Sequence, residues 1–465
     1  MNTVNKEEMA AFLRGIVGSE NIADKDYALL SYCRDQGVLS RWGRMPSVVV
    51  KPKTVEEVQN IIRYANMTKT PVYPRGGGSS PFGYYPVMGG IVIDLTRMNR
   101  LISIDENSLT CVVEPGITFG ELEALLAKRG FEYLVAPEGS LGGTVGGHVA
   151  YRGGSPFTFL VANQADCVTG LKVVLPTGEV VTTGAKAYPK AHGHYGRYSW
   201  MNDLTGLFLG AEGTLGVIVE IGLKIEELPE AEGNVTYSFN EIDSGAKALY
   251  KSRRARIPCH FCWYADGYTA DLRDPAVKHP AVTIRWCKIA GTEKVVEDSV
   301  ERLHKICHEE GGKDLGPEPS AHQWRDRYKE AATFLYALGS RMTFHSSIPI
   351  GEVGYYHKKA VELAKELWEK QGVKTSIGGH PMDRAFLMLM SLGCVEYDPE
   401  DYAKKRMTFD KIKNFWLDSG AVVYRAAIEY ASDQMWRTGT YYELIKRIKG
   451  LIDPDHIMAP GYAGL

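Results

Sequence analysis

The sequence predicts an α+β protein in which a glycine-rich, ligand-binding region precedes an antiparallel sheet covered by helices. Between about residues 45 and 225, short Val/Ile runs alternate with helical segments and with three glycine-rich segments. From about 232 to 420 the chain forms longer strand–helix units, which are typical of an antiparallel sheet with one covered face. A length of 465 residues also favours at least two domains.

The first region combines short strands with two helices. Strands bounded by turn residues are predicted over 47–52, 90–95, 101–105 and, as a hairpin, 171–181. Thr54 and Glu57 have the spacing of a capping box at the start of a helix over 54–67. A second helix over 119–129 ends at Gly130.

The second region repeats a strand followed by a helix. Its strands are predicted over 235–239, 281–290, 342–350 and 385–392. The helices that follow them are predicted over 242–254, 293–310, 352–371 and 399–419. A short helix begins the tail at 441, and no repeat of solenoid period occurs.

The composition is that of an ordinary globular protein, with 44% hydrophobic and 24% charged residues. A net charge of −2 gives no general attraction to nucleic acid or to an anionic membrane. No apolar stretch approaches the roughly 20 residues that a membrane helix needs. The N-terminal residues lack the apolar core of a secretory signal, so a cytoplasmic location is expected.

The 8 cysteines are scattered, apart from one close pair, Cys259 and Cys262. No second such pair follows, so buried thiols in a strand are the prediction, and a metal or redox role is the alternative. Iron–sulfur ligation needs more cysteines at short spacing. We therefore expect no metal site.

The first glycine-rich segment follows a strand-like run. Its candidate ligand-binding residues are Pro74, Arg75, Gly76, Gly77, Gly78, Ser79 and Ser80. Consecutive glycines let a backbone approach a ligand closely and direct several N–H groups at one anion. A surface turn is the alternative. The segment is neither a dinucleotide fingerprint nor a P-loop, because Pro81 and Gly83 follow it and no Lys-Ser/Thr is present.

Two further glycine-rich segments have a similar composition. The second supplies the candidates Pro137, Gly142, Gly143, Thr144, Gly146, Gly147 and His148. The third supplies Glu212, Gly213, Gly216, Val217 and Ile218, and it continues into a β-branched strand. One such segment carries little information, but three at wide spacing indicate a large ligand contacted from several sides.

In this order, the three segments resemble the FAD-binding domain of the vanillyl-alcohol oxidase / p-cresol methylhydroxylase superfamily. The resemblance extends through 94–100, 113–118 and 203–208, and through Pro460 and Gly461, so it covers essentially the whole chain. It implies FAD as the cofactor, with the first segment around the pyrophosphate. It also implies a two-lobed FAD-binding domain over 1–228, a cap domain over 229–420 that contacts the substrate, and a C-terminal segment over 421–465 that returns to the FAD domain.

The resemblance favours non-covalent flavin. Relatives with a histidine linkage in the first segment carry that histidine where this chain has Ser79. In the alkylphenol-oxidising branch the linkage comes from the cap, at a place that here corresponds to Asp383 and Arg384, with His380 close by. A tyrosine or cysteine linkage is the alternative.

Two substrate classes compete within this resemblance. Segments 174–180 and 212–218 are similar to glycolate oxidase and D-lactate dehydrogenase flavoproteins, but their pair of cap histidines is absent in recognisable form. Residues 420–430 resemble the alkylphenol branch, where a Tyr-Arg pair binds the phenolate oxygen; the matching residues are Tyr424 and Arg425. A strand tyrosine and a surface arginine are the alternative interpretation.

The catalytic aspartate of the alkylphenol branch has no counterpart, because apolar residues around Leu160 and Val161 occupy its place. We therefore predict that Tyr424 and Arg425 anchor an anion and that His380 or His148 assists as base. A structural role is the alternative for both histidines.

The predicted activity is hydride removal from a 4-alkylphenol or aryl alcohol, with a 2-hydroxy acid as the alternative. The electron acceptor is left open among oxygen, an electron-transfer flavoprotein, a cytochrome and an iron–sulfur protein. A different class is a flavoprotein electron-transfer subunit whose partner carries the substrate site. The resemblance implies a homodimer or a subunit of a redox complex.

Overall fold

A computed structural model of the chain describes residues 5–35, 37–38, 43–135, 137, 141–155, 161, 163–198, 202–273, 282–329, 339–425 and 428–465. The helices are α1 Lys6–Val17, α2 Asp26–Leu29, α3 Val55–Thr68, α4 Phe119–Ala127, α5 Val145–Ala150, α6 Leu204–Phe208, α7 Ile242–Arg254, α8 Gly267–Arg273, α9 Glu293–Glu309, α10 Glu318–Arg325, α11 Val353–Gln371, α12 Pro399–Asp418, α13 Ile428–Trp436 and α14 Thr440–Ile452. The strands are β1 Ile22–Ala23, β2 Val48–Val50, β3 Val72–Arg75, β4 Ile91–Asp94, β5 Leu101–Asp105, β6 Thr110–Val113, β7 Phe131–Glu132, β8 Val168–Val174, β9 Val180–Thr182, β10 Val217–Lys224, β11 Glu226–Glu227, β12 Ala231–Phe239, β13 Cys259–Asp266, β14 Thr283–Gly291, β15 Lys313–Asp314, β16 Ser340–Pro349, β17 Ser376–Met382, β18 Ala385–Cys394 and β19 Val422–Arg425.

The first lobe is a four-stranded sheet in the order β1-β2-β4-β3, with β2, β4 and β3 parallel. Its central strands are buried on both faces, which explains their unbroken Val/Ile composition. Helix α3 begins as predicted, because the Thr54 hydroxyl accepts a hydrogen bond from the Glu57 backbone N–H. It buries Val58, Ile61 and Ile62 against this sheet.

The second lobe is an antiparallel sheet in the order β5-β6-β10-β8-β9. The predicted hairpin is present as β8 and β9. The predicted helix over 119–129 is α4, which has a complete capping box between Thr118 and Glu121. Its apolar face packs on the inner side of this sheet.

The cap is an antiparallel sheet of eight strands in the order β15-β12-β14-β13-β17-β18-β16-β19. Helices α7, α9, α11 and α12 contact it and close its largest apolar core. The predicted α+β fold, with a two-lobed first domain and an antiparallel cap, is confirmed. Cys259 and Cys262 are buried in β13, as predicted for structural thiols.

The C-terminal residues pack back on both lobes, and Met458 pairs with Val72 of β3. Lys449 and Asp453 form a buried ion pair, and the same ammonium donates hydrogen bonds to the carbonyl oxygens of Thr214 and Met458. The edge strand β19 belongs to the cap sheet, although the sequence places it in the segment over 421–465. The division into domains stays a prediction.

The described residues show two features that bear on function. None of their helices combines the length and apolar character needed to cross a bilayer. Nor do they contain a group of three or more His, Cys, Asp or Glu side chains arranged to hold a metal ion.

Candidate active site

One large cavity lies between the two lobes and the cap, with about 2160 Å³ of empty space including its open mouth. All three glycine-rich segments reach it. The predicted residues that line it are Pro74, Arg75, Gly76, Gly77, Gly78, Ser79, Ser80, Pro137, Gly143, Thr144, Gly146, Gly147, His148, Glu212, Gly213, Gly216 and Ile218. Gly142 and Val217 are not among the lining residues; Val217 is buried in the core behind the cavity.

The glycine segments interlock where side chains would not fit. A Cβ atom on Gly76 would lie 2.3 Å from the Thr144 hydroxyl oxygen, and one on Gly77 would lie 1.7 Å from the Gly142 carbonyl oxygen. A Cβ on Gly213 would lie 2.9 Å from the Tyr84 hydroxyl. The first segment therefore touches both of the others, and together they form a backbone-lined cradle.

The cradle has the donors that a dinucleotide needs. Arg75 brings a guanidinium, and Ser79 and Ser80 bring hydroxyls, to a loop whose glycines line the same cavity. Arg75 also donates to the Arg34 carbonyl oxygen at 2.9 Å and lies over the Tyr32 ring, which positions its charge. These residues fit the pyrophosphate and the flat rings of FAD.

The cap faces this cradle with one side of its sheet. His345 of β16 lies opposite Arg425 of β19, and Leu389 of β18 lies opposite His345. Because side chains alternate along a strand, paired residues point to the same face. His345, Leu389, Arg425 and, from β17, His380 all line the cavity.

A β-bulge shapes the Tyr-Arg pair. Strand β19 shifts register between Val423 and Arg425, so Tyr424 is an extra residue without a partner opposite. The Tyr424 hydroxyl donates to the Arg152 carbonyl oxygen at 3.0 Å, and Tyr424 does not line the cavity. The structure thus brings Arg425, but not the Tyr424 hydroxyl, to the cavity.

Arg425 lies in a box of aromatic rings. Its guanidinium carbon is 3.9 Å from the centre of the Tyr151 ring, 5.4 Å from that of Tyr424 and 5.5 Å from that of Phe82. Its Nε is buried and has no hydrogen-bond partner in the described part of the chain. A half-buried guanidinium that lines a cavity is suited to bind an oxyanion.

Three buried histidines surround the cavity in their neutral form. Burial lowers the pKa of His148 and of His380 to about 3, and the positive charge of Arg425 adds to both shifts. Burial also lowers the pKa of His345 well below its usual range. His148 is held by the Gln164 side chain, whereas His380 stacks on Trp263 with ring centres 5.4 Å apart. At pH 7 these imidazoles are therefore unprotonated and can accept a hydrogen bond from a ligand.

These shifts predict a pH-dependent stability. Between pH ~6.5, where an unfolded histidine titrates, and pH 3, the unfolded chain binds protons that His380 in the folded protein does not. Stability should therefore fall as pH falls through this window, by about 1.4 kcal/mol per pH unit for each such histidine. Urea unfolding at pH 7, 6 and 5 should give a shallower slope for His380→Gln than for the wild type. Equal slopes would contradict a neutral, buried His380.

Glu212 is the acidic residue among the described lining residues. Burial raises the pKa of its carboxyl to about 7, while the nearby Arg425 acts in the opposite direction. Its backbone is left-handed, with φ of 49°, where a side chain is uncommon. This conformation turns the third glycine segment, and the Glu212 carbonyl oxygen accepts from the Tyr84 hydroxyl at 3.2 Å.

Several lining residues were missed by sequence reasoning. These are Phe82, Tyr151, Trp263, Arg273, Arg341 and His345. They come from separate strands and loops, and their convergence follows from the order of strands in the cap, which local patterns do not encode. His345 and His380 both line the cavity from the cap sheet. Val161 packs in the second-lobe core, and Leu160 lies outside the described residues.

Comparisons with known proteins identify the cofactor. A model described as an FAD binding domain matches residues 46–184. The chain is 33% identical to an uncharacterised FAD-linked oxidoreductase of Mycobacterium tuberculosis, over 98% of both chains. It is 30% identical to a D-2-hydroxyglutarate dehydrogenase of Stutzerimonas stutzeri, over 90% of both chains. It is 26% identical to a mitochondrial D-lactate dehydrogenase (cytochrome) of Arabidopsis thaliana, over 90% of this chain and 73% of that one.

Solved structures share the whole fold. A 4-ethylphenol oxidase from Gulosibacter chungangensis matches with a TM-score of 0.88 and 19% identity, over 100% of this chain and 98% of that one. A p-cresol methylhydroxylase matches with a TM-score of 0.86 and 20% identity, over 99% and 96%. The chain belongs to the FAD-linked oxidoreductases and has the p-cresol methylhydroxylase type of fold. The predicted cofactor and enzyme class are confirmed; the dimer and the cytoplasmic location stay predictions.

Proposed function

We propose that this enzyme removes a hydride from a small hydroxylated substrate that Arg425 holds as an oxyanion, with 4-alkylphenols and aryl alcohols as the first candidates. FAD, when bound, supplies the hydride acceptor. The observation that carries the proposal is the half-buried Arg425 guanidinium, which lines the cavity and whose Nε lacks a hydrogen-bond partner among the described residues. Stabilising a phenolate raises electron density at the benzylic carbon and so eases hydride loss.

The surroundings of Arg425 favour an aromatic ring. Tyr151 and Phe82 lie against its guanidinium, and Trp263 of β13 also lines the cavity. Flat rings provide a large apolar contact for a substrate ring. Tyr424 supports the site indirectly, because its hydroxyl bond to the Arg152 carbonyl fixes the loop below the cap.

His380 is the candidate proton acceptor. It is neutral, lies in the cavity beside Trp263, and would be 3.3 Å from a Cβ atom placed on Gly154. Gly154 therefore packs closely against His380, and a side chain at this position would crowd the imidazole. The neutral imidazole can accept a hydrogen bond from the substrate hydroxyl, and the negative charge of a bound oxyanion would raise the imidazole's pKa and so favour proton uptake.

A 2-hydroxy acid is the second candidate. His345 and His380 lie within electrostatic reach of each other in the same cavity, and Arg341 and Arg425 act on His345. A carboxylate on an arginine, with a neutral histidine near the hydroxyl, suits α-hydroxy acid oxidation. Relatives named as D-lactate and D-2-hydroxyglutarate dehydrogenases support this candidate.

We also propose that the flavin is bound without a covalent link. Ser79 occupies the position of the histidine linkage in the first segment, and a serine forms no such bond. In the cap, Asp383 lies in the turn before β18, where its carboxylate pairs with Arg253. His380 packs on Trp263.

The proposed activity predicts a spectral change. The purified protein should be yellow, and anaerobic addition of 4-ethylphenol or an aryl alcohol should bleach the flavin band, because the substrate reduces the flavin. D-Lactate, glycolate and D-2-hydroxyglutarate in separate cuvettes test the second candidate. Bleaching by one class identifies the substrate class.

Two outcomes would contradict the proposal. A yellow protein that neither class bleaches would favour a flavoprotein subunit whose redox partner carries the substrate site, and copurification of that partner would support this. A colourless protein whose flavin is not restored by added FAD would contradict cofactor binding itself.

A further inference from the structure

His345 of the cap sheet has two buried ring nitrogens that no described residue satisfies. The residue is 6% exposed and lines the cavity. Neither its Nδ1 nor its Nε2 has a hydrogen-bond partner within the described part of the chain. Most buried polar atoms are paired, because an unpaired one loses its hydrogen bonds to water without replacement. Two such atoms on one ring at a cavity wall therefore indicate a ligand that completes them.

The cap sheet places His345 beside Arg425. The two residues lie directly opposite each other in β16 and β19, so their side chains leave the sheet on the same face. Phe82, from the loop that follows the first glycine segment, contacts both of them. Its ring centre is 4.6 Å from that of His345, at an interplanar angle of 84°, and 5.5 Å from the Arg425 guanidinium carbon. The imidazole and the guanidinium therefore border the same part of the cavity.

His345 is in the protonation state that can donate to an oxyanion without competing for its charge. Burial holds the pKa of this imidazole well below its usual range, and the positive charge of Arg425 acts in the same direction. The ring is therefore neutral at pH 7, with one N–H donor and one acceptor nitrogen. The N–H adds a hydrogen-bond donor beside the guanidinium and no second positive charge.

The other cap histidine, His380, has a different arrangement. Its Nδ1 lies 3.2 Å from the Pro381 carbonyl oxygen. A carbonyl oxygen only accepts hydrogen bonds, so the neutral imidazole of His380 carries its hydrogen on Nδ1 and presents Nε2 as an acceptor. His380 is thus arranged to accept a hydrogen bond from a substrate hydroxyl, whereas the N–H of His345 is not used by any described residue.

We propose that His345 donates a hydrogen bond from its neutral imidazole to the substrate oxyanion that Arg425 binds. The inference rests on the proposed function, because it takes Arg425 as the anion site. The ligand class is a small organic oxyanion, either a phenolate or a carboxylate. A guanidinium and an imidazole N–H on one oxyanion fix its direction, which orients the substrate carbon that loses the hydride.

The test uses ligands that bind but cannot be oxidised, so it does not depend on turnover. 4-Chlorophenol is compared with 4-chloroaniline, and propionate with propionamide, because each pair has nearly the same shape and only the first member forms an oxyanion. The absorbance change of the oxidised flavin in the holoenzyme gives each Kd. The wild type should bind one of the oxyanions at least about tenfold more tightly than its neutral counterpart. The pair that shows this preference identifies phenolate or carboxylate as the source.

Variants of His345 assign its share of this preference. His345→Leu removes both nitrogens and should reduce the preference at least about fivefold, with the affinity for the neutral ligand changed by less than about twofold. His345→Gln retains an N–H donor and should recover part of the preference. The control His357→Leu removes a buried cap histidine that hydrogen-bonds Tyr264 and is not among the cavity-lining residues. It should keep the wild-type preference.

Two results would overturn the inference while the anion site stands. One is a His345→Leu variant that keeps the preference or weakens both members of a pair equally, since the histidine would then only pack in the cavity wall. The other is a His345→Gln variant that recovers none of the lost preference. A wild type that prefers neither oxyanion would instead contradict Arg425 as the anion site, and the proposed function and the inference would fall together.

Discussion

Gly77→Ala should abolish stable flavin binding. The added methyl group would lie 1.7 Å from the Gly142 carbonyl oxygen, which is backbone and cannot rotate away. The first and second glycine segments must then separate, and the cradle for the pyrophosphate opens. We expect the ratio of flavin to protein after purification to fall to about a tenth of the wild-type value, corresponding to about 1.4 kcal/mol or more of lost binding free energy. Absorbance at the flavin band, relative to that of the protein, measures this directly.

Gly120→Ala is the matched control. Gly120 lies in α4, and a Cβ atom there would meet nothing within 4 Å. Alanine is favoured over glycine inside a helix by about 0.5–1 kcal/mol, so this variant should keep its flavin and be slightly more stable. A Gly77→Ala protein that stays fully yellow would contradict the cradle. It would support covalent attachment if acid precipitation left the flavin on the protein.

The fold was predictable because its strongest signals are local. The capping box at Thr54 and the periodic helix after it, the hairpin over 171–181, and the strand–helix units of the cap each lie within one stretch of sequence. Strand β17 was missed, since Gly378, Gly379 and Pro381 resemble a turn. It forms only because β13 and β18 hydrogen-bond to it on either side.

The cradle and the cap differ in how far sequence could predict them. Glycine requirements are local, so Gly76, Gly77 and Gly213 could be assigned from the motif alone. The substrate side depends on which strands become neighbours. His345 and Arg425 are 80 residues apart in the chain and directly opposite in the sheet, and no spacing rule relates them.

The Tyr-Arg pair shows the same limit in a single strand. In an unbroken strand Tyr424 and Arg425 would point to opposite faces of the sheet, and each would lie opposite a residue of β16. The register shift in β19 leaves Tyr424 without such a partner. The bulge in β19 brings the Tyr424 hydroxyl to the Arg152 carbonyl oxygen and leaves Arg425 in the cavity. The sequence predicted both residues near the substrate; in the structure the Tyr424 hydroxyl donates to a loop carbonyl, and Arg425 lines the cavity.

Arg425→Ala should cause a large loss of activity while the flavin stays bound. The variant removes the guanidinium that we propose as the anion site but leaves the glycine cradle intact. Loss of a buried, charge-assisted contact costs on the order of 2–5 kcal/mol, so kcat/KM should fall at least about 30-fold. Steady-state kinetics with the substrate that bleaches the flavin, together with the flavin content, provide the measurement.

Two further variants separate charge from geometry. Arg425→Lys keeps a positive charge but loses the planar donor pair, so it should recover only part of the activity. Arg384→Ala removes a side chain that is 93% exposed in the turn before β18 and should leave kcat/KM unchanged. Normal kinetics in Arg425→Ala would exclude Arg425 as the anchor.

Arg425→Ala should also raise the pKa of His380, because the positive charge of Arg425 disfavours the protonated imidazole. The acid limb of the pH–rate profile should then move to higher pH in this variant. Such a shift would show that both groups act in one site.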